Sequence, residues 1–278
     1  MTTAGRALSR VGVLGFGEAG SLIAVDLVAA GFDVRGFDPR VAAPPGVTPR
    51  ADDADAVRDA DLVLSLNSAH DAAEALDSAL PALREGTVWA DLNTTSPGLK
   101  RRLAEVAAGH GVEVVDVALM APVPGNGLRT PMVAAGPAAA RFAGMLAAAV
   151  VVEVVDGPVG TATARKLLRS VFYKGLAAAV VEALAAARAA GCQDWLRQNI
   201  AAELVSFDER TLERLVEGSA RHARRRADEM AAAAGQLREL GVAPRVTTAA
   251  EALLHDLVRS GDGARSGSAR SGPAATGG

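Results

Sequence analysis

Val11-Gly12-Val13-Leu14-Gly15-Phe16-Gly17-Glu18-Ala19-Gly20 decides the fold. An apolar run ends on three glycines spaced G-x-G-x-x-G, and a segment of helical period, Glu18–Ala30, opens inside the motif. Gly15 permits a tight turn, Gly17 lets the backbone approach a pyrophosphate, and Gly20 lets the helix pack closely on the strand. Phe16, Glu18 and Ala19 complete the turn. A helix starting there presents unpaired N–H groups and the positive end of its dipole to an anion. The next strand candidate, Asp33–Asp38, ends in an acid about 20 residues after the turn, where a carboxylate accepts hydrogen bonds from adenosine ribose hydroxyls. Asp38 therefore favours NAD(H) as cofactor. Arg40 has an alternative role as partner of a 2′-phosphate, which leaves NADP(H) open.

Outward from this unit the first half alternates. Strands are predicted at Asp61–Asn67, Thr87–Asn93, Glu113–Met120, Met132–Ala135 and Val150–Val155, and helices at Ala51–Asp59, Ala69–Leu83 and Pro97–Ala108. The strand candidates are near-continuous Val/Leu runs without polar alternation, which implies burial on both faces. The expected fold class is α/β: an N-terminal Rossmann-type doubly wound parallel sheet, followed by an all-α C-terminal domain. Ligands of such sheets sit at the carboxyl edge, which singles out Leu66 and Asn67 after one strand and Asn93 and Thr94 after the next. Ser96-Pro97 reads as a helix cap. From Thr161 the pattern is helical: Thr161–Ala190, Gln193–Val205, Asp208–Leu240 with a break near Gly218, and Val246–Arg259. The expected division is a dinucleotide-binding domain over 1–158, a helical substrate and dimerisation domain over 159–259, and a disordered Gly/Ser-rich tail over 260–278.

Composition narrows the function. Half of the 278 residues are hydrophobic, enough for a packed core. Charged residues make up 22% and the net charge is −3, so no strong field favours nucleic acid or an anionic membrane. A single cysteine, Cys192, excludes a disulfide framework and a Cys-rich zinc site, and His70, His110, His222 and His255 form no ligand pair at helical spacing; no metal is expected. The amino-terminal residues lack the apolar core of a signal peptide, and no uninterrupted apolar stretch reaches about 20 residues, so a cytoplasmic protein is expected.

Only Lys100, Lys166 and Lys174 are lysines; every other basic residue except histidine is arginine. Lys166 and Ser170 lie four apart on one helical face, and Lys174 continues the stripe. An amine can be desolvated to pass a proton where a guanidinium cannot, so this face is a candidate for acid–base work; a solvated face beside Arg165 and Arg169 is the alternative.

These segments resemble the β-hydroxyacid dehydrogenase superfamily, which includes 6-phosphogluconate and 3-hydroxyisobutyrate dehydrogenases. The glycine turn resembles the family's N-terminal motif, and Asp91-Leu92-Asn93-Thr94-Thr95-Ser96-Pro97 resembles its substrate loop D-x-S-T-x-x-P. Gly160-Thr161-Ala162-Thr163-Ala164-Arg165-Lys166 resembles its G-x-G-x-x-x-K helix. The stretches Met120–Pro131 and Ser170–Gly175 resemble a branch with a distinct helical C-terminal domain. Asn93 replaces the family's loop serine, Ala162 its second glycine and Ser170 its asparagine, while Asp116-Val117-Ala118-Leu119-Met120-Ala121-Pro122 replaces D-A-P-V-S-G-G. The resemblance implies hydride transfer between a nicotinamide cofactor and a small hydroxy or keto substrate, a hydroxyacid, in a homodimer. It implies Lys166 as general acid/base, Ser170 as a residue that orients the substrate oxygen or the lysine, and a substrate framed by Asn93, Thr94, Met120, Arg129 and Lys174. Imine reduction on the same scaffold, or NAD(P) binding without turnover, are the alternatives.

Overall fold

The apolar runs of the first half become one sheet. In the computed structural model, which describes residues 10–268, the strands are β1 (Arg10–Leu14), β2 (Asp33–Phe37), β3 (Thr48–Pro49), β4 (Leu62–Ser65), β5 (Val88–Asp91), β6 (Glu113–Leu119), β7 (Met132–Ala135) and β8 (Val152–Val154). Their order is β3-β2-β1-β4-β5-β6-β7-β8. Neighbours run parallel except β6 and β7, which are antiparallel and pair Asp116 with Ala135 and Leu119 with Met132. The expected doubly wound parallel sheet thus carries one antiparallel pair. The link from β6 to β7 carries a 3-10 turn, Gly127–Arg129, and no crossover helix, so the chain returns alongside itself. The two-residue β3 escapes sequence periodicity. It sits at the sheet edge, where the missing N–H of Pro49 costs no ladder bond.

Helices α1 (Glu18–Ala29), α2 (Asp53–Val57), α3 (Ala72–Ala79), α4 (Pro97–Ala108) and α5 (Ala139–Leu146) cover the sheet. One core cluster joins Val11, Val13, Leu62 and Leu64 to Ile23 and Leu27 of α1 and Phe142 of α5. The other joins Leu14, Val63 and Trp89 to Leu76 of α3 and Leu103 of α4. Successive residues of one strand thus serve opposite faces, which is why the runs carry no polar alternation. The chain reverses direction across the sheet between β1 and β4, and this opens a crevice at their carboxyl ends.

Helix α6 (Thr161–Ala189) begins in this unit, and a second compact unit starts at Val171. The first unit ends at Ser170, inside this helix. The second unit holds the rest of α6 with α7 (Gln193–Val205), α8 (Glu209–Arg221), α9 (Ala223–Glu239) and α10 (Arg245–Ser268). Asp208 caps α8 by accepting the Thr211 N–H at 2.8 Å. The break between α8 and α9 falls at His222, not near Gly218, which stays helical with the Arg226 guanidinium packed over it. Gly241, at φ +72°, closes α9, and Val242 N–H reaches back to Leu237 O at 2.8 Å. Helix α10 runs on to Ser268, where a disordered tail was expected from residue 260; residues 269–278 of that tail lie outside those described.

Candidate functional site

Local contacts fix the glycine turn before any ligand is considered. Gly15 has φ +95°, and a Cβ there would lie 2.6 Å from Leu66 O, so a side chain is excluded both by backbone and by β4. A Cβ on Gly20 would strike Gly15 O at 2.0 Å, so α1 can seat on β1 only through glycine. Gly17 differs: a Cβ there would meet nothing within 4 Å, so its open side faces space and not protein. Gly17 is the N-cap of α1 and makes no side-chain cap bond, leaving first-turn N–H groups of Glu18 and Ala19 to meet an anion. The Phe16 ring is buried in the core, and its N–H donates to Asp38 Oδ2 at 2.7 Å.

Beside the turn lies a pocket of about 700 Å³. Gly15, Gly17, Asp38, Arg40, Leu66 and Asn67 line it. Asp53, Asp71 and Glu74, from α2 and the α3 region, line it too and were not anticipated, because nothing local to them marks a ligand. Burial and the carboxylates of Asp52, Glu74 and Asp38 push the Asp53 carboxyl up to about 6. The Ser68 hydroxyl and the Arg40 guanidinium hold Asp71 below the usual carboxylate range against some desolvation. A pocket at the switch point with an open glycine face and free helix N–H groups fits a dinucleotide.

The second part of the site follows β5. Asp91, Asn93 and Thr95 turn inward, while Thr94 points out and accepts a hydrogen bond from Lys166 Nζ at 3.0 Å. Ser96 caps α4 by accepting the Leu99 N–H at 3.2 Å. One turn into α4, Lys100 is wholly buried, 3.0 Å from Asp91 Oδ1 and 3.4 Å from Asp116 Oδ1, and donates to Asp91 O at 2.7 Å. Asp116 also accepts the Thr163 N–H at 2.8 Å and its hydroxyl at 2.6 Å. This cluster ties β5, β6 and the first turn of α6, which carries Lys166. It was missed as a site, although Lys100, Leu103 and Ala107 follow helical spacing on the buried face of α4.

The remaining expected site residues are placed as follows. Asn93 turns inward at the strand end, where its Nδ2 donates to Ser65 Oγ at 2.8 Å and to Asp91 Oδ1 at 2.8 Å. Its Oδ1, with Asp91 Oδ2 and Thr95 Oγ1, has no hydrogen-bond partner among the described residues. The Ser170 hydroxyl donates to the Lys166 carbonyl at 2.9 Å, the usual i−4 bond of a helical serine. Arg129 is exposed on a loop pinned to α1 through Leu128 N–H and Asp26 Oδ2, 2.7 Å apart. Met120 packs on the cluster that includes Ala162. Lys174 is exposed and belongs to the second unit.

Residues 10–141 match the family described as the NAD binding domain of 6-phosphogluconate dehydrogenase, and residues 187–257 match a domain of unknown function, DUF1932. No curated protein matches the chain. Among solved structures, a conserved hypothetical protein from Sinorhizobium meliloti 1021 is 29% identical, with a TM-score of 0.59 over 89% of this chain and 88% of that one. A conserved protein of unknown function, described as structurally similar to 3-hydroxyacid dehydrogenases, is also 29% identical, with a TM-score of 0.58 over 89% and 96%. An imine reductase from Myxococcus stipitatus in complex with NADP+ is 19% identical, with a TM-score of 0.76 over 91% and 95%, a likeness of fold. The chain thus has the fold of NAD(P)-binding dehydrogenases and reductases, with residues 10–141 similar to the NAD binding domain of 6-phosphogluconate dehydrogenase and residues 187–257 similar to DUF1932.

Proposed function

We propose that this protein is an NAD(P)-dependent oxidoreductase acting on a small hydroxy or keto substrate, a hydroxyacid, as a homodimer. The observation that carries the reading is the 3.0 Å hydrogen bond from Lys166 Nζ to Thr94 Oγ1. It sets an amine at the carboxyl end of β5, on the same sheet edge as the glycine turn after β1. The cofactor, when bound, supplies or accepts the hydride at its nicotinamide ring. Lys166 gives its proton to the substrate oxygen on reduction and takes the hydroxyl proton on oxidation. Thr94 holds that amine in place. Gly17 and the first turn of α1 bind the pyrophosphate, and Asp38 braces the turn.

Oxidation of NADH, followed against a panel of keto acids, ketones and cyclic imines, tests the reading. Lys166→Met should lower turnover of a keto substrate by roughly 10²–10⁴, the usual worth of a general acid, with NADH affinity retained. Lys166→Arg should not rescue it, since guanidinium stays protonated at neutral pH. Wild-type turnover in Lys166→Met would refute the lysine's role, and turnover of imines alone would move the reading to imine reduction. Dinucleotide binding without hydride transfer to any panel member would leave a binding protein.

A further inference from the structure

The pocket beside the glycine turn has an acidic wall: Asp38, Asp53, Asp71 and Glu74 all line it, and Arg40 is the one cation among its lining residues. Asp38 is largely committed within the protein. Its Oδ1 accepts the N–H groups of Arg40 at 2.8 Å and Val41 at 3.0 Å, and its Oδ2 accepts that of Phe16 at 2.7 Å. With two lone pairs per oxygen, Oδ1 is filled and Oδ2 keeps one place for a hydroxyl. Arg40 is committed as well: its Nη2 lies 2.8 Å from Asp71 Oδ2. Asp53 stands at the first position of α2, half-buried, with no cation paired to it among the described residues.

We propose, on the reading of this pocket as a dinucleotide site, that Asp53 is a specificity-determining residue that makes it take NAD(H) and reject NADP(H), with Asp71 as its accomplice through Arg40. A 2′-hydroxyl donates to a carboxylate and is welcome against such a wall. A 2′-phosphate brings close to two negative charges and only acceptor oxygens, and meets Asp53 and Glu74 across a partly desolvated space where repulsion is poorly screened. Arg40, the cation that would offset it, is held in an ion pair with Asp71. The carboxyl of Asp53, held up at about 6 by burial and its acidic neighbours, is anionic at pH 7.5. Selection therefore lies with a residue of α2, and Asp38 serves as a brace that both cofactors need.

Fluorescence titration of the full chain with NADH and with NADPH at pH 7.5 tests this, with competition by 5′-AMP and by 2′,5′-ADP to isolate the adenosine half. Wild type should prefer NADH at least about tenfold. Asp53→Asn should raise the NADPH-to-NADH affinity ratio about tenfold, and Asp71→Asn, which releases Arg40, should raise it by a similar factor. Asp38→Asn should weaken both dinucleotides together, since it loosens the turn. Melting curves of each variant confirm folding. A wild-type ratio near one, or a ratio unmoved by both Asp53→Asn and Asp71→Asn, overturns the proposal while leaving the dinucleotide site standing. Binding of neither dinucleotide by wild type overturns the site and the proposal with it.

Discussion

Lys100 is the residue whose chemistry is most at odds with its surroundings. Its side chain is 0% exposed, and the side chains of Asp91 and Asp116 beside it are 1% and 0% exposed. Burying an ammonium costs several kcal/mol unless charge and hydrogen bonds compensate it. Here two carboxylates and the Asp91 carbonyl do so, and Thr163 in turn supplies two donors to Asp116. Removing the amine alone leaves two buried carboxylates without their counter-charge. Lys100→Met should therefore cost roughly 3–5 kcal/mol of stability, read as a lower midpoint in guanidinium unfolding. Adding Asp116→Asn should recover part of the loss, because one orphaned charge is then gone. A loss below about 1 kcal/mol would mean that the site relaxes or admits water, and that the cluster holds less of the fold than its geometry implies.

Among the elements, those set by neighbouring residues were legible and those set by distant ones were not. β1, the glycine turn, α1 and the acid closing β2 form one local unit, and sequence spacing located all of it. The cap bonds of Ser96 and Asp208 were equally local. The direction of β7 was not, since it depends on the absence of a crossover helix. The continuity of α8 through Gly218 rests on Arg226, whose Nη1 donates to Ser219 Oγ at 2.7 Å from the following helix. Asp53 and Asp71 enter the pocket by topology alone. Helix α10 shows the same dependence at its start. Pro244 precedes it and offers no side-chain acceptor, so Glu182 of α6 accepts the N–H groups of Val246 and Thr247, both at 2.8 Å, and the Thr247 hydroxyl. Burial raises the Glu182 carboxyl, but these bonds outweigh it and hold the group below its ordinary 4.5. A carboxyl depressed on folding adds stability above its unfolded pKa, and that stability is lost as pH falls through the folded value. Glu182→Gln should thus lower the melting temperature at pH 7, by an amount set by about 1 kcal/mol for a helix cap. The gap should close as pH falls below about 4.5. A gap independent of pH would show that the ionised carboxylate contributes nothing at this cap.

For the whole molecule, the open question is what covers α6. This helix is long and apolar enough by composition to cross a membrane, and only 11% of its most apolar stretch is buried within the chain. Leu168 is 72% exposed, Val171 73% and Val181 70%. The second unit adds Trp195, Val205 and Val216, all more than half exposed. Two observations weigh against a bilayer as the cover. Glu182 lies within the helix as a hydrogen-bonded carboxylate, and Arg165, Lys166, Arg169, Lys174 and Arg188 add further charged groups along it; each is costly in hydrocarbon. A second copy of the chain is the cover that needs no further component, and its helices would supply the same apolar faces in symmetric pairing. A stable dimer requires about 1,200–2,000 Å² of buried surface, which the apolar side chains of several helices can provide. Light scattering at micromolar concentration should give about twice the chain mass. Val171→Lys with Val181→Lys should shift it toward one chain, because two ammonium groups per copy would have to be buried unpaired. A wild-type monomer that stays monomeric up to about 100 µM, a concentration at which even weak self-association with a micromolar Kd is nearly complete, would remove the dimer. If that monomer floated with lipid vesicles, the membrane would be the cover after all.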